Sequence, residues 1–381
     1  MIYLDHNATT PIASDVFYAM LPFLREHYGN PSSSHSVGRR AHDAIEVARA
    51  QVAKLIGAAP DEIIFTSGGT EASNLAIRGA VLSQSGRPHI ITSAFEHPAT
   101  AQSCAWAERQ GYRVTRVPVA ADGRIRPEDV ARAVDDHLVL ITMMHSNNEI
   151  GTVQPIAQIA RIGRARGALI HTDAAQSVGK VPVNVDELGV DLLTIAGHKL
   201  YAPKGVGALY IRRGTALERV LEGAGHERGM RPGTENVAGI VALGEACRIA
   251  ERDLISEQTR VRGLRDRLLQ RLRDSIPGLV LHGHPTERLP NTLFISFPNV
   301  PGARLLEAVP EIAASTGSAC HSGSDAPCDS LLAIGTPPDQ AVGPVRLSLG
   351  RSNTAEEIDA AAEQLFSAWR RLTGELAHMA S

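Results

Sequence analysis

The chain has 381 residues, 43% of them hydrophobic and 21% charged, which is enough for two folded domains with substantial cores. Its 38 basic and 41 acidic residues give a formal charge of −3, which excludes a strongly basic surface for nucleic acid or for a membrane. No apolar run approaches the roughly 18 residues that cross a bilayer, and MIYLDHNATT lacks the layout of a signal peptide. We therefore expect a cytoplasmic protein that acts on a small molecule.

Helix-like and strand-like segments alternate between about residues 42 and 210. The first, HDAIEVARAQVAKLIG, has apolar residues at helical spacing. Six strand-like segments follow in chain order: EIIFTSGGT, HIITSA, YRVTRVPV, LVLITMM, ALIHTD and DLLTIAG. Their alternation with helical or loop stretches predicts an α/β fold with a mostly parallel sheet flanked by helices.

The rest of the chain predicts a second, smaller domain. GVGALYIRR follows DLLTIAG too closely for a helical crossover, so we expect an antiparallel strand there. A long helical pattern from about Val237 to Ser275 leads into a region with two clear strands, TLFISF and VRLSLG, and a C-terminal helix. We expect a large domain of residues 16–259 and a smaller α+β domain of residues 1–15 and 260–381.

A glycine turn between a strand and a helix, in FTSGGTEASNLAI, is the first candidate binding feature. Gly68, Gly69 and Thr70 would offer backbone N–H groups and a hydroxyl to an anion at the helix N-terminus. A tight turn with Thr70 as the helix N-cap explains the same residues equally well. The segment matches neither GxGxxG nor the P-loop, which argues against a dinucleotide or a nucleoside triphosphate.

Two further strand ends carry chemistry. Asp173 ends ALIHTD, at the edge where open α/β sheets bind ligands, although a helix cap would also explain it. Lys199 follows DLLTIAG, where a charge is costly unless something reacts with it. An anion site, a carboxylate and a lysine at successive strand ends match the phosphate, the pyridinium nitrogen and the aldehyde of pyridoxal 5'-phosphate (PLP).

With these motifs together, the chain resembles the cysteine desulfurase family, a group of class V aminotransferases with the fold of type I PLP-dependent transferases. The resemblance runs over nearly the whole chain, through YLDHNATTP, FTSGGTEASNLAI, EHPA, HSNNEIGTVQPI, HTDAAQSVGKVPV, GHKLYAPKGVGALY, GHERGMRPGTEN, STGSAC and VRLSLGR.

The resemblance implies a complete PLP site. Its cofactor-binding residues would be Gly69, Thr70, His97, Asn148, Asp173, Gln176, His198, Lys199 and Thr234. Lys199 would form the Schiff base, Asp173 would pair with the pyridinium nitrogen and Gln176 would bond the ring hydroxyl. His97 would stack on the ring and move protons, and Asn148 would lie near the ring oxygen and the substrate.

The resemblance also implies how the phosphate is held. Gly69, Thr70 and His198 would contact it, and Thr234 would reach the phosphate of a neighbouring subunit, which implies a homodimer. Many relatives have a phosphate-binding serine two residues before the histidine, where this chain has Ala196. One hydroxyl donor is therefore missing or replaced.

The substrate and the reaction follow from two further matches. Arg346 would bind the substrate α-carboxylate, for which its planar fork of donors is suited, although a solvated salt bridge is the alternative. Cys320, in the small and polar loop STGSACHSG, would take sulfur from L-cysteine as a persulfide and leave L-alanine. With Lys199 and His97 it would form the catalytic set, and the persulfide would pass to acceptor proteins of iron–sulfur cluster or thiolation pathways.

The four cysteines, Cys104, Cys247, Cys320 and Cys328, contain no CxxC pair, so we expect neither a disulfide framework nor a bound metal. Cys328 has no role in the resemblance, and we expect an incidental surface cysteine, with a resolving thiol or a metal partner for Cys320 as alternatives.

Three competing functions stay open at this point. ACHS, TIAGHK and RPGTEN are also similar to selenocysteine lyase, which would act on L-selenocysteine and release selenide. A second alternative is a scaffold of low activity that docks sulfur-acceptor proteins. A conventional aminotransferase is the third, and it would leave Cys320 without a purpose.

Overall fold

A computed structural model describes residues 1–84, 86, 88–317, 328–337 and 343–379, with the side chains of the last five left out. Within this part of the chain the β-strands are β1 Ile2–Tyr3, β2 Ile63–Thr66, β3 His89–Ser93, β4 Arg113–Val117, β5 Leu138–Met144, β6 Leu169–Asp173, β7 Leu192–Ala196, β8 Gly207–Ile211, β9 Val280–Leu281, β10 Thr292–Ser296, β11 Ile312–Ala313 and β12 Pro344–Ser348. The α-helices are α1 Ser14–Arg25, α2 Ser36–Ile56, α3 Gly69–Leu82, α4 Pro98–Arg109, α5 Pro127–Ala133, α6 Ile156–Arg164, α7 Val185–Leu188, α8 Val237–Ser275, α9 Gly302–Glu307, α10 Asp329–Ala333 and α11 Ala355–Met379.

The central sheet has seven strands in the order β2-β8-β7-β6-β5-β3-β4. Strands β4, β3, β5, β6 and β7 pair in parallel, and β8 pairs antiparallel with both β7 and β2. The predicted α/β fold with a mostly parallel sheet is therefore confirmed, and so is the antiparallel strand after Lys199. Residues of β2, β3 and β7 are buried throughout, because helices cover both faces of such a sheet.

Helix α8 is 39 residues long and matches the predicted helical stretch from Val237 to Ser275. Its first half packs against α1 and α2, and it also contacts α11. One hydrophobic cluster includes Ile240 and Leu243 with the large sheet, and another includes Leu268 and Leu272 with β10 and β12. The same helix thus contributes to two cores.

The second cluster forms around two small sheets. One has the order β12-β10-β9, and the other pairs β1 in parallel with β11. Ile2 and Leu4 belong to this cluster, so the N-terminal segment packs onto the C-terminal part of the chain as expected.

No helix in the described part of the chain combines the length and the apolar character that a membrane crossing requires.

Candidate active site

A cavity of about 550 Å³ opens at the carboxyl ends of β5, β6 and β7 and reaches Arg346 on β12. It is lined by nine of the predicted site residues: Gly69, Thr70, His97, Asn148, Asp173, Gln176, His198, Lys199 and Arg346. Because parallel strands end at one edge of a sheet, residues that are far apart in sequence meet here. Thr234 is exposed and does not line this cavity, and Cys320 lies outside the described residues.

The glycine turn after β2 forms a cradle at the start of α3. Gly68 has a φ of 151°, which favours glycine, and it is the N-cap of the helix. Thr70 is the second helical residue, so the alternative in which Thr70 is the N-cap is wrong. A Cβ atom on Gly69 would lie 3.2 Å from the Cβ of Ala196, so small residues keep this corner of the cavity open.

Lys199 ends a single 3-10 turn, Gly197–Lys199, that follows β7. Its amine donates to the carbonyl oxygens of Ala8, at 2.8 Å, and of Asn7. Burial, and next the charge of Arg346, lower the pKa of Lys199 to about 8, against the opposing charges of Asp5 and Asp173. About a tenth of this amine is therefore uncharged at pH 7, far more than for an ordinary lysine.

Asp173 and His97 face the same cavity. The Oδ1 atom of Asp173 accepts a hydrogen bond of 3.0 Å from the N–H of Ala175, and no helix begins there, so it does not cap a helix. Burial raises the pKa of Asp173 and lowers the pKa of His97. The Nδ1 atom of His97 accepts from the N–H of Ala99 at 3.1 Å, so the proton of the neutral ring lies on Nε2.

His198 lines the same cavity as Gly69 and Thr70 of the glycine cradle. Its Nδ1 atom is 3.2 Å from the hydroxyl of Thr9, and burial, with the charge of Lys199, lowers the pKa of His198 to about 4. Its imidazole is therefore neutral at physiological pH and would serve as a hydrogen-bond partner for an anion, without adding a charge.

Arg346 has only 2% of its surface exposed. Its guanidinium bonds Asp5 Oδ1 at 2.8 Å and the carbonyl oxygen of Asn148 at 3.2 Å, while its Nε atom has no partner among the described residues. The alternative of a solvated salt bridge is therefore wrong, because the guanidinium of Arg346 is buried at the cavity and only Asp5, with 20% of its side chain exposed, reaches solvent.

Cys328 is a part-buried residue whose thiol donates to Glu149 Oε2 at 3.3 Å. Burial and the charge of Glu149 raise the pKa of this thiol to about 12. The side chain is part-buried against the cavity residue Glu149, so the expected surface position is wrong, while an incidental role for Cys328 stays a prediction. The structure gives no support to Cys328 as a resolving thiol, since almost no thiolate is present at neutral pH.

Several site residues were missed by the sequence interpretation. Asn7 and Asp5 lie in YLDHNATTP and Glu149 lies in HSNNEIGTVQPI, two stretches that carry the resemblance but had been given no role at these positions. Glu96 precedes His97 and accepts from the N–H of Met144, and burial raises the pKa of Glu96 to about 8. All four residues lie inside the motifs that carry the family resemblance, and this position was the feature of the sequence that could have identified them as site residues.

A family model described as aminotransferase class-V matches residues 2–361. The cysteine desulfurase IscS of Dictyoglomus turgidum is 46% identical over 362 residues, which cover 94% of this chain and 92% of that relative.

Two solved structures are also similar. One, described as a NifS-like protein, superposes with a TM-score of 0.90 at 36% identity and covers 98% of this chain and 99% of the other. A second, described as SspA in complex with cysteine, has a TM-score of 0.82 at 34% identity and covers 92% of this chain and 99% of the other. Taken with the cavity and its residues, these similarities show that the chain belongs to the class V aminotransferases and, within them, to the cysteine desulfurase family.

Proposed function

We propose that this chain is a PLP-dependent cysteine desulfurase, which removes sulfur from L-cysteine and releases L-alanine. The observation that carries the proposal is the shared cavity. The Lys199 amine, the Asp173 carboxylate, the glycine cradle and the Arg346 guanidinium all line it. An amine with a lowered pKa, an anion cradle and a buried carboxylate are what PLP requires, so the residues present fit the cofactor.

Each part of the cofactor has a matching group in the cavity. Lys199 would hold the aldehyde carbon, Asp173 the pyridinium nitrogen and Gln176 the ring hydroxyl. The phosphate would lie at the N-terminus of α3, against Gly69, Thr70 and the neutral His198. Small Ala196 supplies no hydroxyl, so the N–H groups of the cradle would carry more of the phosphate binding. When bound, PLP would serve as an electron sink for the α-carbon of the substrate.

Lys199 and His97 would handle protons. The Lys199 amine, once released, would take the α-proton of the substrate, because its lowered pKa leaves a neutral base available near pH 7. His97 is fixed by its bond from the N–H of Ala99, and its Nε2–H would donate toward the reacting groups. Both side chains are held by backbone partners before any substrate arrives.

Arg346 and Asn148 would orient the substrate. Arg346 uses one N–H for Asp5 and one for the carbonyl oxygen of Asn148, and three of its five N–H groups are left for a carboxylate. A buried guanidinium binds a carboxylate strongly, because little water competes with it. We propose that this contact selects α-amino acids.

Cys320 would accept the sulfur. Its thiolate would attack the substrate sulfur, a sulfur–sulfur bond would form, and the carbon–sulfur bond would break with its electron pair left on the β-carbon. Protonation of that carbon gives the methyl group of L-alanine, and Cys320 holds the persulfide. No external oxidant or reductant is required. The described thiols, Cys104, Cys247 and Cys328, have pKa values raised by burial, so none of them ionises readily to a nucleophilic thiolate near neutral pH.

The alternatives have less support. The relatives are named for cysteine desulfuration and one solved relative is described in complex with cysteine, while none of those reported favours selenocysteine lyase. A scaffold or an aminotransferase would leave the combination of Cys320 with the Lys199 site unexplained.

We further propose a cytoplasmic homodimer in which Thr234 reaches the neighbouring cofactor phosphate. Apart from Phe294, Leu331 and Ile334, which pack in the first cluster, the two hydrophobic clusters support a division into a large PLP-binding domain, residues 16–259, and a small domain, residues 1–15 and 260–381. The persulfide of Cys320 would pass to an acceptor protein of iron–sulfur cluster assembly or of a thiolation pathway.

Replacing the proposed nucleophile tests the reaction. Cys320→Ser should lower sulfide release from L-cysteine by at least about a hundredfold, because a hydroxyl cannot replace the thiolate, while the visible absorbance of bound PLP stays unchanged. Sulfide is measured after thiol reduction and alanine by chromatography.

Cys328→Ser is the matched control and should retain desulfuration to within about threefold, because this thiol does not line the cavity. Undiminished sulfide release by Cys320→Ser would overturn the proposed mechanism. The same assay with L-selenocysteine compares the two substrates. Selenocysteine lyase would be favoured by two results together: negligible turnover of L-cysteine by the wild type, and selenide release from L-selenocysteine that survives in Cys320→Ser.

A further inference from the structure

Lys180 is a partly buried lysine that the proposed reaction does not use. It lies close to the cavity but does not line it. It lies seven residues after the end of β6, at the end of the turn formed by residues 175–180. Among the described residues no carboxylate lies within ion-pair distance of its amine, and burial lowers the pKa of Lys180 well below its usual value. An amine without a carboxylate partner is costly in such a place unless other groups accept its hydrogen bonds.

The amine of Lys180 contacts two residues that line the cavity. It donates to Gln176 Oε1 at 2.8 Å and to Asn7 Oδ1 at 3.3 Å. The turn before it is tight, because Gly179 has a φ of 75° and a Cβ atom there would lie 2.1 Å from Cδ1 of Leu200. The turn that ends at Lys180 therefore packs directly against Leu200, the residue that follows Lys199.

These contacts fix the orientation of the Gln176 amide. The Oε1 atom faces a donor, the Lys180 amine, and the Nε2 atom donates to the carbonyl oxygen of Asn7 at 2.9 Å. Because that carbonyl can only accept, the amide cannot flip without losing both bonds. One N–H of Nε2 is left, and Gln176 lines the cavity where a ring hydroxyl would need a donor.

Asn7 connects the same network to Lys199. Its carbonyl oxygen accepts from Lys199, and its side chain bonds Asn291 at 3.0 Å and Thr292 at 2.9 Å as well as Lys180. Asn7 has 1% of its surface exposed and is contacted by Lys180, in the turn after β6, and by Thr292 on β10. The position of the Lys199 amine thus depends on groups from both cores.

We propose that Lys180 is a positioning residue, whose amine orients Gln176 toward the cofactor ring and holds Asn7 where its carbonyl receives the Lys199 amine. This inference rests on the proposed PLP-dependent function. Lys180 itself does not line the cavity, so it would act on cofactor binding and on the capture of the aldehyde by Lys199, and not on substrate contacts.

The test uses apo-protein titrated with PLP. Lys180→Met keeps the length of the side chain without its donor, Lys180→Arg keeps a donor, and Lys54→Met changes an exposed lysine on α2 as the control. We expect Lys180→Met to weaken PLP affinity about tenfold and to slow the labelling of Lys199 after borohydride reduction by a similar factor. Lys180→Arg should recover most of the affinity, and Lys54→Met should match the wild type.

Thermal melting of the apo-proteins separates positioning from packing. Lys180→Met should melt close to the wild type, because the relief of not burying an amine offsets the loss of its hydrogen bonds to Gln176 and Asn7. PLP affinity within twofold of the wild type in Lys180→Met would overturn the inference, as would an affinity loss accompanied by a lower melting temperature and not restored by Lys180→Arg. A wild-type protein that binds no PLP would instead overturn the proposed function.

Discussion

At the scale of single residues, the cavity is organised around the charge of Lys199. Burial is the largest cause of the lowered pKa of this lysine, Arg346 lowers the pKa further, and Asp5 and Asp173 raise it. Asp5 also pairs with Arg346 in the cavity wall. One carboxylate from the N-terminal segment therefore influences both the proposed Schiff-base lysine and the proposed substrate-binding arginine.

Replacing Asp5 by asparagine should lower the pKa of Lys199 further below about 8, because a nearby negative charge stabilises the protonated amine. At a fixed pH near 7 a larger fraction of Lys199 is then neutral, so its acetylation in the apo-protein should speed up. The measurement is the pH dependence of Lys199 acetylation, followed by mass spectrometry.

Asp136→Asn removes an exposed carboxylate that pairs with Arg166 and should leave the Lys199 profile unchanged. A profile shifted to higher pH in Asp5→Asn would contradict the electrostatic interpretation.

At the scale of elements, the strand that leads into the glycine cradle is fastened by a buried ion pair. Arg49 on α2 bonds both carboxylate oxygens of Glu227, at 2.8 and 2.9 Å, and the N–H of Phe65 donates to the same carboxylate. Glu227 and Arg228 have φ values of 45° and 57°, a left-handed conformation that non-glycine residues rarely adopt. Hydrogen bonds of Glu227 and Arg228 therefore hold the loop that leads to Thr234 against β2, although the backbone of both residues is left-handed.

Glu227→Ala should destabilise the protein by about 3–5 kcal/mol, because it leaves the Arg49 charge buried without its partner. The free energy of unfolding is measured by denaturant titration of the apo-protein. Glu222→Ala is the control, since Glu222 pairs with Arg219 on the surface and its loss should cost less than about 1 kcal/mol. An equal loss of unfolding free energy in both variants would show that the buried ion pair stabilises the protein no more than the exposed pair does.

At the scale of the whole molecule, the cavity depends on both hydrophobic cores. Asp173 and Lys199 come from the large sheet, while Asn7 and Arg346 come from segments joined to the smaller sheets. Because Thr234 is exposed and does not line the cavity of its own subunit, its proposed contact with phosphate requires a second copy. A complete site would therefore exist only in the dimer.

Mixed dimers test this directly. Thr234→Val should weaken PLP affinity about tenfold in a homodimer, through loss of a hydrogen bond to a charged group. Lys199→Ala should abolish the covalent linkage at both sites of its homodimer. In a heterodimer of the two variants, the subunit with intact Lys199 receives an intact Thr234 from its partner, so one site should regain wild-type PLP affinity. A heterodimer no better than the Thr234→Val homodimer would show that Thr234 does not act across subunits.

The sequence by itself determined the central sheet and the order of groups along it. Strands such as β7 could be predicted from the sequence because they are buried on both faces and bounded by polar or glycine residues. Helix α8 could be predicted from its charged and apolar sides. Asp173 and Lys199 could be predicted to lie in one site, because the carboxyl ends of neighbouring parallel strands lie at the same edge of the sheet. The two-residue strands β1, β9 and β11 have no periodicity to detect, and their pairing depends on the rest of the fold.

Only the tertiary structure decided the partners of these groups. Asp5 and Arg346 are 341 residues apart, Cys328 and Glu149 are 179 apart, and Lys180 and Asn7 are 173 apart. A pattern within one segment cannot reveal such pairs, because they form where elements pack. The same holds for the lowered pKa of Lys199, since burial and the distances to other charges exist only once the chain has folded.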